Sequence, residues 1–192
     1  DGYPDLFMTT GHVDPNIEKT LPQYPNKTPR AVFRNLGQGV FEELIDEAGP
    51  GVSALHCSRG CAFGDFDNDG DVDIVVINLN EPPSLLRNDL SAKTNWIKVK
   101  LEGVKSNRSA IGARVIAHYD GKLQAQSVLS QSSFFSCNDP RLHFGLATAK
   151  SVDLEIVWPT GRQETYKSLS PNRLVTIREG TGLVPNRGWA KH

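Results

Sequence analysis

The chain has 192 residues, a hydrophobic share of 38% and a formal net charge of −1, enough for one sizeable domain or two small ones. Balanced charge argues against a nucleic-acid partner, which needs a clustered basic surface. The longest clean aliphatic run, Ile74-Val75-Val76-Ile77, falls far short of the ~18 apolar residues of a membrane span, and no basic stretch leading into an apolar one marks a signal peptide.

With 17 Gly and 12 Pro, the chain reads as short elements joined by turns. Asp1-Gly2-Tyr3-Pro4-Asp5 followed by Leu6-Phe7-Met8 is the tail of a pattern that returns later. The second copy is Asp69-Gly70-Asp71-Val72-Asp73 followed by Ile74-Val75-Val76-Ile77. Downstream, Pro29-Arg30-Ala31-Val32-Phe33-Arg34-Asn35 is answered by Pro83-Ser84-Leu85-Leu86-Arg87-Asn88. The Asp-Gly pairs lie 68 residues apart and the Arg-Asn pairs 53. The first copy therefore carries roughly 15 extra residues in the polar stretch from Gly11 to Thr28, as an internal repeat with an insertion would. Glu42 to Ala48, closed by Gly49-Pro50, is the one expected helix.

Beyond about residue 94 the pattern becomes that of successive strands. Ile97, Val99 and Leu101 alternate with Trp96, Lys98 and Lys100. Gly112–Tyr119 and Leu123–Leu129 flank Asp120-Gly121, a hairpin signal. Val152, Leu154, Ile156 and Trp158 share one face and lead into the turn Pro159-Thr160-Gly161-Arg162. Gln163–Lys167 and Leu174–Arg178 close the set. Alternation over half a dozen short segments predicts a small antiparallel sandwich over 95–180. The polar residues 181–192 are expected to form a flexible tail.

The sharpest feature is Asp65-Phe66-Asp67-Asn68-Asp69-Gly70-Asp71-Val72-Asp73. Carboxylates at positions 1, 3, 5 and 9 (Asp65, Asp67, Asp69 and Asp73) can converge on one hard cation. Gly70 at position 6 permits the turn, and Asp71 at position 7 supplies its carbonyl. Calcium suits such a set because it accepts six to eight oxygens in flexible geometry. An EF-hand would need a bidentate Glu at position 12, where this chain has Val76 inside a β-branched run. The loop is therefore expected to join two strands.

Ala62-Phe63-Gly64 leading into this loop, with Asp73-Ile74-Val75-Val76 after it, resembles an FG-GAP/VCBS (integrin-α-like) repeat, a calcium-bearing blade of a β-propeller. Ser106-Asn107-Arg108-Ser109-Ala110-Ile111-Gly112-Ala113-Arg114-Val115, Arg141-Leu142-His143-Phe144-Gly145-Leu146 and Trp158-Pro159-Thr160-Gly161 resemble an ASPIC/UnbV domain. The two resemblances imply a mostly β chain: partial propeller blades over 1–94 and a β-sandwich over 95–180. They imply a non-catalytic, calcium-binding interaction or adhesion module, secreted, at the cell surface or periplasmic. Asp65, Asp67, Asp69, Asp71 and Asp73 carry the metal role, while Asp1, Tyr3 (through its carbonyl) and Asp5 match the second half of another such loop. Because about 95 residues supply fewer than the four to eight blades a propeller needs, the chain reads as the C-terminal piece of a longer protein. Its expected partner is a protein or glycan surface, further blades or another subunit.

Other constellations give weaker signals. If extended, Cys57 and Cys61 lie about 13 Å apart, beyond disulfide reach; either can meet Cys137 in the fold. His143, Asp139 and Ser132 or Ser133 sketch a hydrolase triad without a Gly-x-Ser-x-Gly context, and a strand role for His143 is the simpler reading. A pocket joining them would favour a carbohydrate-active or secondary-metabolism accessory enzyme. Exposed, coplanar Trp96 and Trp158 would favour a glycan-binding module, but Trp158 shares a strand face with aliphatic residues and is expected in the core. Asn26-Lys27-Thr28 and Asn107-Arg108-Ser109 fit the glycosylation sequon.

Overall fold

The computed structural model describes residues 2–89 and 94–185. It divides into two compact units: Tyr3–Asp89 with Gln131–Asn138, and Gly2 with 94–130 and 139–185.

The first unit contains two three-stranded antiparallel sheets. One is β1 (Leu6–Met8), β2 (Ala31–Gly37) and β3 (Val40–Leu44); the other is β4 (Ser58–Gly64), β5 (Asp73–Asn78) and β6 (Ser84–Leu86), each in that order. The internal repeat is structural. Leu6 faces Phe33 across β1 and β2, and Ile74 faces Leu86 across β5 and β6; these pairs have the two sequence offsets. Asp5 accepts the N–H of Asn35 at 2.7 Å, and Asp73 accepts that of Asn88 at 2.9 Å. In each copy, then, an aspartate at or just before the start of one strand accepts a backbone N–H from the neighbouring strand or from the residues that follow it.

The expected helix over Glu42–Ala48 is not formed. Val40–Leu44 is β3, which pairs with β2 so that Glu42 faces Arg34 and Phe41 faces Asn35. Gln38 and Gly39, at φ of 55° and 78°, form a two-residue turn whose twist suits a hairpin. A seven-residue segment has too little intrinsic helicity to compete with that ladder. The short helices are α1 (Ile17–Thr20) and α2 (Pro50–Ser53); α2 begins at the expected stop, where proline suits the first helical position.

Arg30 is the polar hub of this unit. It is 4% exposed and donates to Gly51 O (2.6 Å), Ser84 Oγ (2.8 Å), Asn78 Oδ1 (3.0 Å) and Ser58 Oγ (3.1 Å). One guanidinium thereby joins α2, β4, β5 and β6 to the start of β2. Burial pulls its pKa down and nearby Glu81 pulls it up. Glu81 itself is bound by Lys27 and by His56 Nδ1 at 2.9 Å, bonds that hold its carboxyl below the usual range.

The second unit is a two-layer sandwich with an apolar interior. Its sheets run β10-β7-β13-β14 and β12-β11-β8-β9, from β7 (Asn95–Glu102), β8 (Arg114–Tyr119), β9 (Lys122–Ser127), β10 (Leu142–Ala147), β11 (Val152–Val157), β12 (Gln163–Leu169), β13 (Arg173–Arg178) and β14 (Gly182–Val184). Pairing is antiparallel except between β7 and β13. Ile97, Val99, Phe144 and Ile177 from one sheet meet Val115, Leu154, Ile156 and the following Trp158 from the other, all essentially inaccessible. Such alternation on both facing layers is what closes a sandwich. The expected loose tail after Gly180 is corrected in part: Gly182–Val184 pairs with β13, placing Leu183 opposite Ile177. Residues 186–192 lie outside the described residues.

Replacing Arg30 with Ala strands four acceptors around the vacated space. It should lower the unfolding free energy by about 3 kcal/mol, measured by urea denaturation. Lysine should recover little, because an ammonium cannot reproduce the guanidinium fork.

Candidate metal centre

The acidic loop connects β4 to β5, with Gly64 paired to Asp73 at its base. Asn68 (φ 61°) and Gly70 (φ 105°) carry the left-handed turns; asparagine tolerates that region, whereas φ near 105° suits only glycine. Asp65 and Asp73 are 1% and 2% exposed. Both act as backbone acceptors. The Asp65 carboxylate receives the N–H of Asp69 (3.1 Å) and of Gly70 (3.0 Å). The Asp73 carboxylate receives the N–H of Phe66 (3.0 Å) as well as that of Asn88.

This wrapping brings one oxygen each of Asp65, Asp67 and Asp73 within 4.8 Å of one another. The carboxylates of Asp69 and Asp71 fall outside that cluster: Asp69 accepts the N–H of Asp71 at 2.9 Å and so shapes the turn. Asp5 caps Asn35, and Tyr3, about half exposed, lies beside Gly37. Asp1 lies outside the described residues.

The donor set is all oxygen and all anionic, which fits a hard divalent cation and not zinc, whose sites favour sulfur and nitrogen. Two buried unit charges at such a separation repel by about 3 kcal/mol at an effective dielectric of 20. The backbone donors offset part of that, and Arg87, bound to Asp89, has a pKa raised further by Asp67 and Asp69.

The residues of the sketched triad each make other contacts. Asp139 is paired with Arg141, Ser132 Oγ accepts the N–H of Asn138, and the His143 ring stacks on Trp96 at 5.9 Å. Trp158, at 1% exposed, is core as expected and unavailable to stack on a sugar. Cys57, Cys61 and Cys137 are free thiols. Asn26 Nδ2 donates to two backbone carbonyls, so that sequon is folded into the loop it belongs to.

Comparison with known proteins bears on both units. Residues 1–76 match the FG-GAP-like repeat, and residues 103–184 match the family described as ASPIC and UnbV. The chain joins an FG-GAP-like repeat to an ASPIC and UnbV domain. Cartilage acidic protein 1 of Mus musculus is 26% identical over 162 residues, covering 81% of this chain and 25% of that protein. The Xenopus tropicalis protein of that name is 28% identical over 145 residues, covering 72% and 22%. The chain thus spans about a quarter of the length of these relatives. All three aspartates of the cluster lie inside the FG-GAP-like match, whereas Asn88, whose N–H Asp73 accepts, lies beyond it.

Asp65 and Asp67 separate the loop's two tasks. With divalent ions chelated, Asp65→Ala should cost about 2 kcal/mol, because the buried Gly70 N–H and the partly buried Asp69 N–H lose their acceptor. Asp67→Ala, at an exposed position, should stay within about 0.5 kcal/mol of wild type. Urea denaturation in chelator checks both, and equal losses would contradict the division.

Proposed function

We propose that this chain is a calcium-stabilised, non-catalytic interaction module of an extracellular protein, secreted or held at the cell surface. The observation that carries the reading is the convergence of Asp65, Asp67 and Asp73 within an FG-GAP-like repeat. The ion supplies the positive charge that the cluster lacks and fixes the β4–β5 loop. Three carboxylates drawn into one loop between strands point to a structural role, in contrast to the open coordination position that metal catalysis uses. The name of the relatives, cartilage acidic protein 1, supports an extracellular setting, and among the described residues no helix is long and apolar enough to cross a membrane.

The partner is a protein surface. Val75, Ile77 and Leu85 are 42–54% exposed; Val75 faces Leu85 across β5 and β6, and Ile77 follows on the same side. Contiguous aliphatic residues on a sheet face are characteristic of an interaction surface, and further blades or another subunit would cover them.

Calorimetric titration with calcium tests the metal reading. The wild-type chain should bind one ion at this site, and Asp67→Ala should weaken binding about tenfold or more while leaving the fold intact. Absence of binding to the wild type would overturn the proposal.

A further inference from the structure

The loop between β7 and β8, residues 103–113, is held from inside by more bonds than a passive connection needs. Glu179, just after β13 and 4% exposed, receives on Oε2 the N–H groups of Val104 (2.8 Å), Lys105 (2.8 Å) and Ser106 (2.7 Å). Its Oε1 receives the hydroxyls of Ser106 and Thr160, both at 3.0 Å. Burial pushes this carboxyl up, but the donors from Ser106, Val104 and Lys105 outweigh it and bring it from 4.5 down to about 2.

The rest of the loop is fixed as firmly. Asn107 closes a ring on Ile111, donating to its carbonyl at 2.7 Å and accepting its N–H at 2.9 Å. The Gly103 N–H donates to Arg108 O at 3.1 Å, and a Cβ on Gly103 would sit 2.1 Å from Asn107 O. Only glycine permits that approach. Ala110 is fully buried at φ 56°.

This scaffold presents cations and aliphatic side chains to solvent, with Asn107 and Ser109 between them. Lys105 and Arg108 are exposed, beside Val104 at 62% and Ile111 at 42%. Neighbouring cations are neutralised: Lys100 and Arg178 by Glu102, Arg162 by Glu164. Lys105 and Arg108 form no ion pair among the described residues. Fixing a backbone costs conformational entropy at every residue, and Lys105, Arg108, Val104 and Ile111 lie outside the buried core cluster. Preordering of this kind lowers the cost of binding.

We propose that the 103–113 loop is a preordered docking element for a partner-protein segment that carries carboxylates interspersed with aliphatic side chains. The two unpaired cations match carboxylates, Arg108 with fork geometry, and Val104 and Ile111 require apolar surface that a sulfated glycan does not offer. The inference rests on the reading of the chain as an interaction module but is independent of calcium. Glu179 acts as a positioning residue.

Selection of a random peptide library displayed on phage against the full chain tests the proposal. Enriched peptides should combine Asp or Glu with Leu, Ile or Val, and should bind equally well with calcium present or chelated. Their affinity should fall about tenfold or more for Lys105→Ala/Arg108→Ala, a variant whose urea midpoint should match wild type. Glu179→Gln should speed hydrogen exchange at 104–106 and weaken binding with both cations still present. The proposal is overturned if acidic peptides are not enriched, if the double variant binds them undiminished, or if a sulfated oligosaccharide array is preferred. Unchanged exchange and binding in Glu179→Gln would remove the preordering; should that variant not fold, the double variant decides.

Discussion

Short strands joined by long loops leave many backbone N–H groups outside any ladder, and in this protein carboxylates collect them. Asp65 takes two, Asp73 two more, Asp5 one and Glu179 three. A charged acceptor makes a stronger hydrogen bond than a neutral one, so each such residue can fix several residues of loop. The consequence is local crowding of negative charge. Where two of these acceptors and Asp67 come together, the geometry that satisfies the backbone also builds a receptacle for a cation. Where Glu179 acts alone, it builds an ordered loop and needs none.

The two units are stabilised in different ways. The sandwich buries a continuous apolar core between its layers, the dominant favourable contribution in folding. The FG-GAP-like unit buries few large apolar side chains among the described residues and relies on the Arg30 hub and on the capped loops. Buried polar networks specify a single arrangement when every member is satisfied and are costly when one is removed. The unit built that way is also the one whose loop gathers the carboxylates.

Much of this was legible in the sequence, for local reasons. Period-two alternation located β7, β8, β11 and β13, and Asp120-Gly121 marked a hairpin that the structure closes at φ of 44° and 73°. The repeat was readable because the same Asp–Asn cap recurs at fixed offsets in both copies. What was not legible depended on distant partners. Glu42–Leu44 carries helix-forming glutamates, but pairing with Arg34 and its neighbours decided the outcome. Gly182–Val184 is too short to read as a strand without β13 beside it. Glu179 looks like any carboxylate after a strand, its partners being 73–75 residues away. Arg30 likewise gave no signal, since its acceptors come from four separate elements. Within the acidic loop, spacing named four carboxylates alike and Asp71 through its carbonyl, whereas the fold brings Asp65, Asp67 and Asp73 together and leaves the Asp69 carboxylate to shape the turn.

An oxygen cluster that is anionic and partly buried fits a hard cation, and calcium is the ion proposed to occupy it. Diffraction from crystals grown in excess calcium, recorded for the anomalous signal, addresses this most directly. The account predicts one anomalous peak at about 2.3–2.6 Å from oxygens of Asp65, Asp67 and Asp73. Density of water alone in that position, at full calcium saturation, would contradict it.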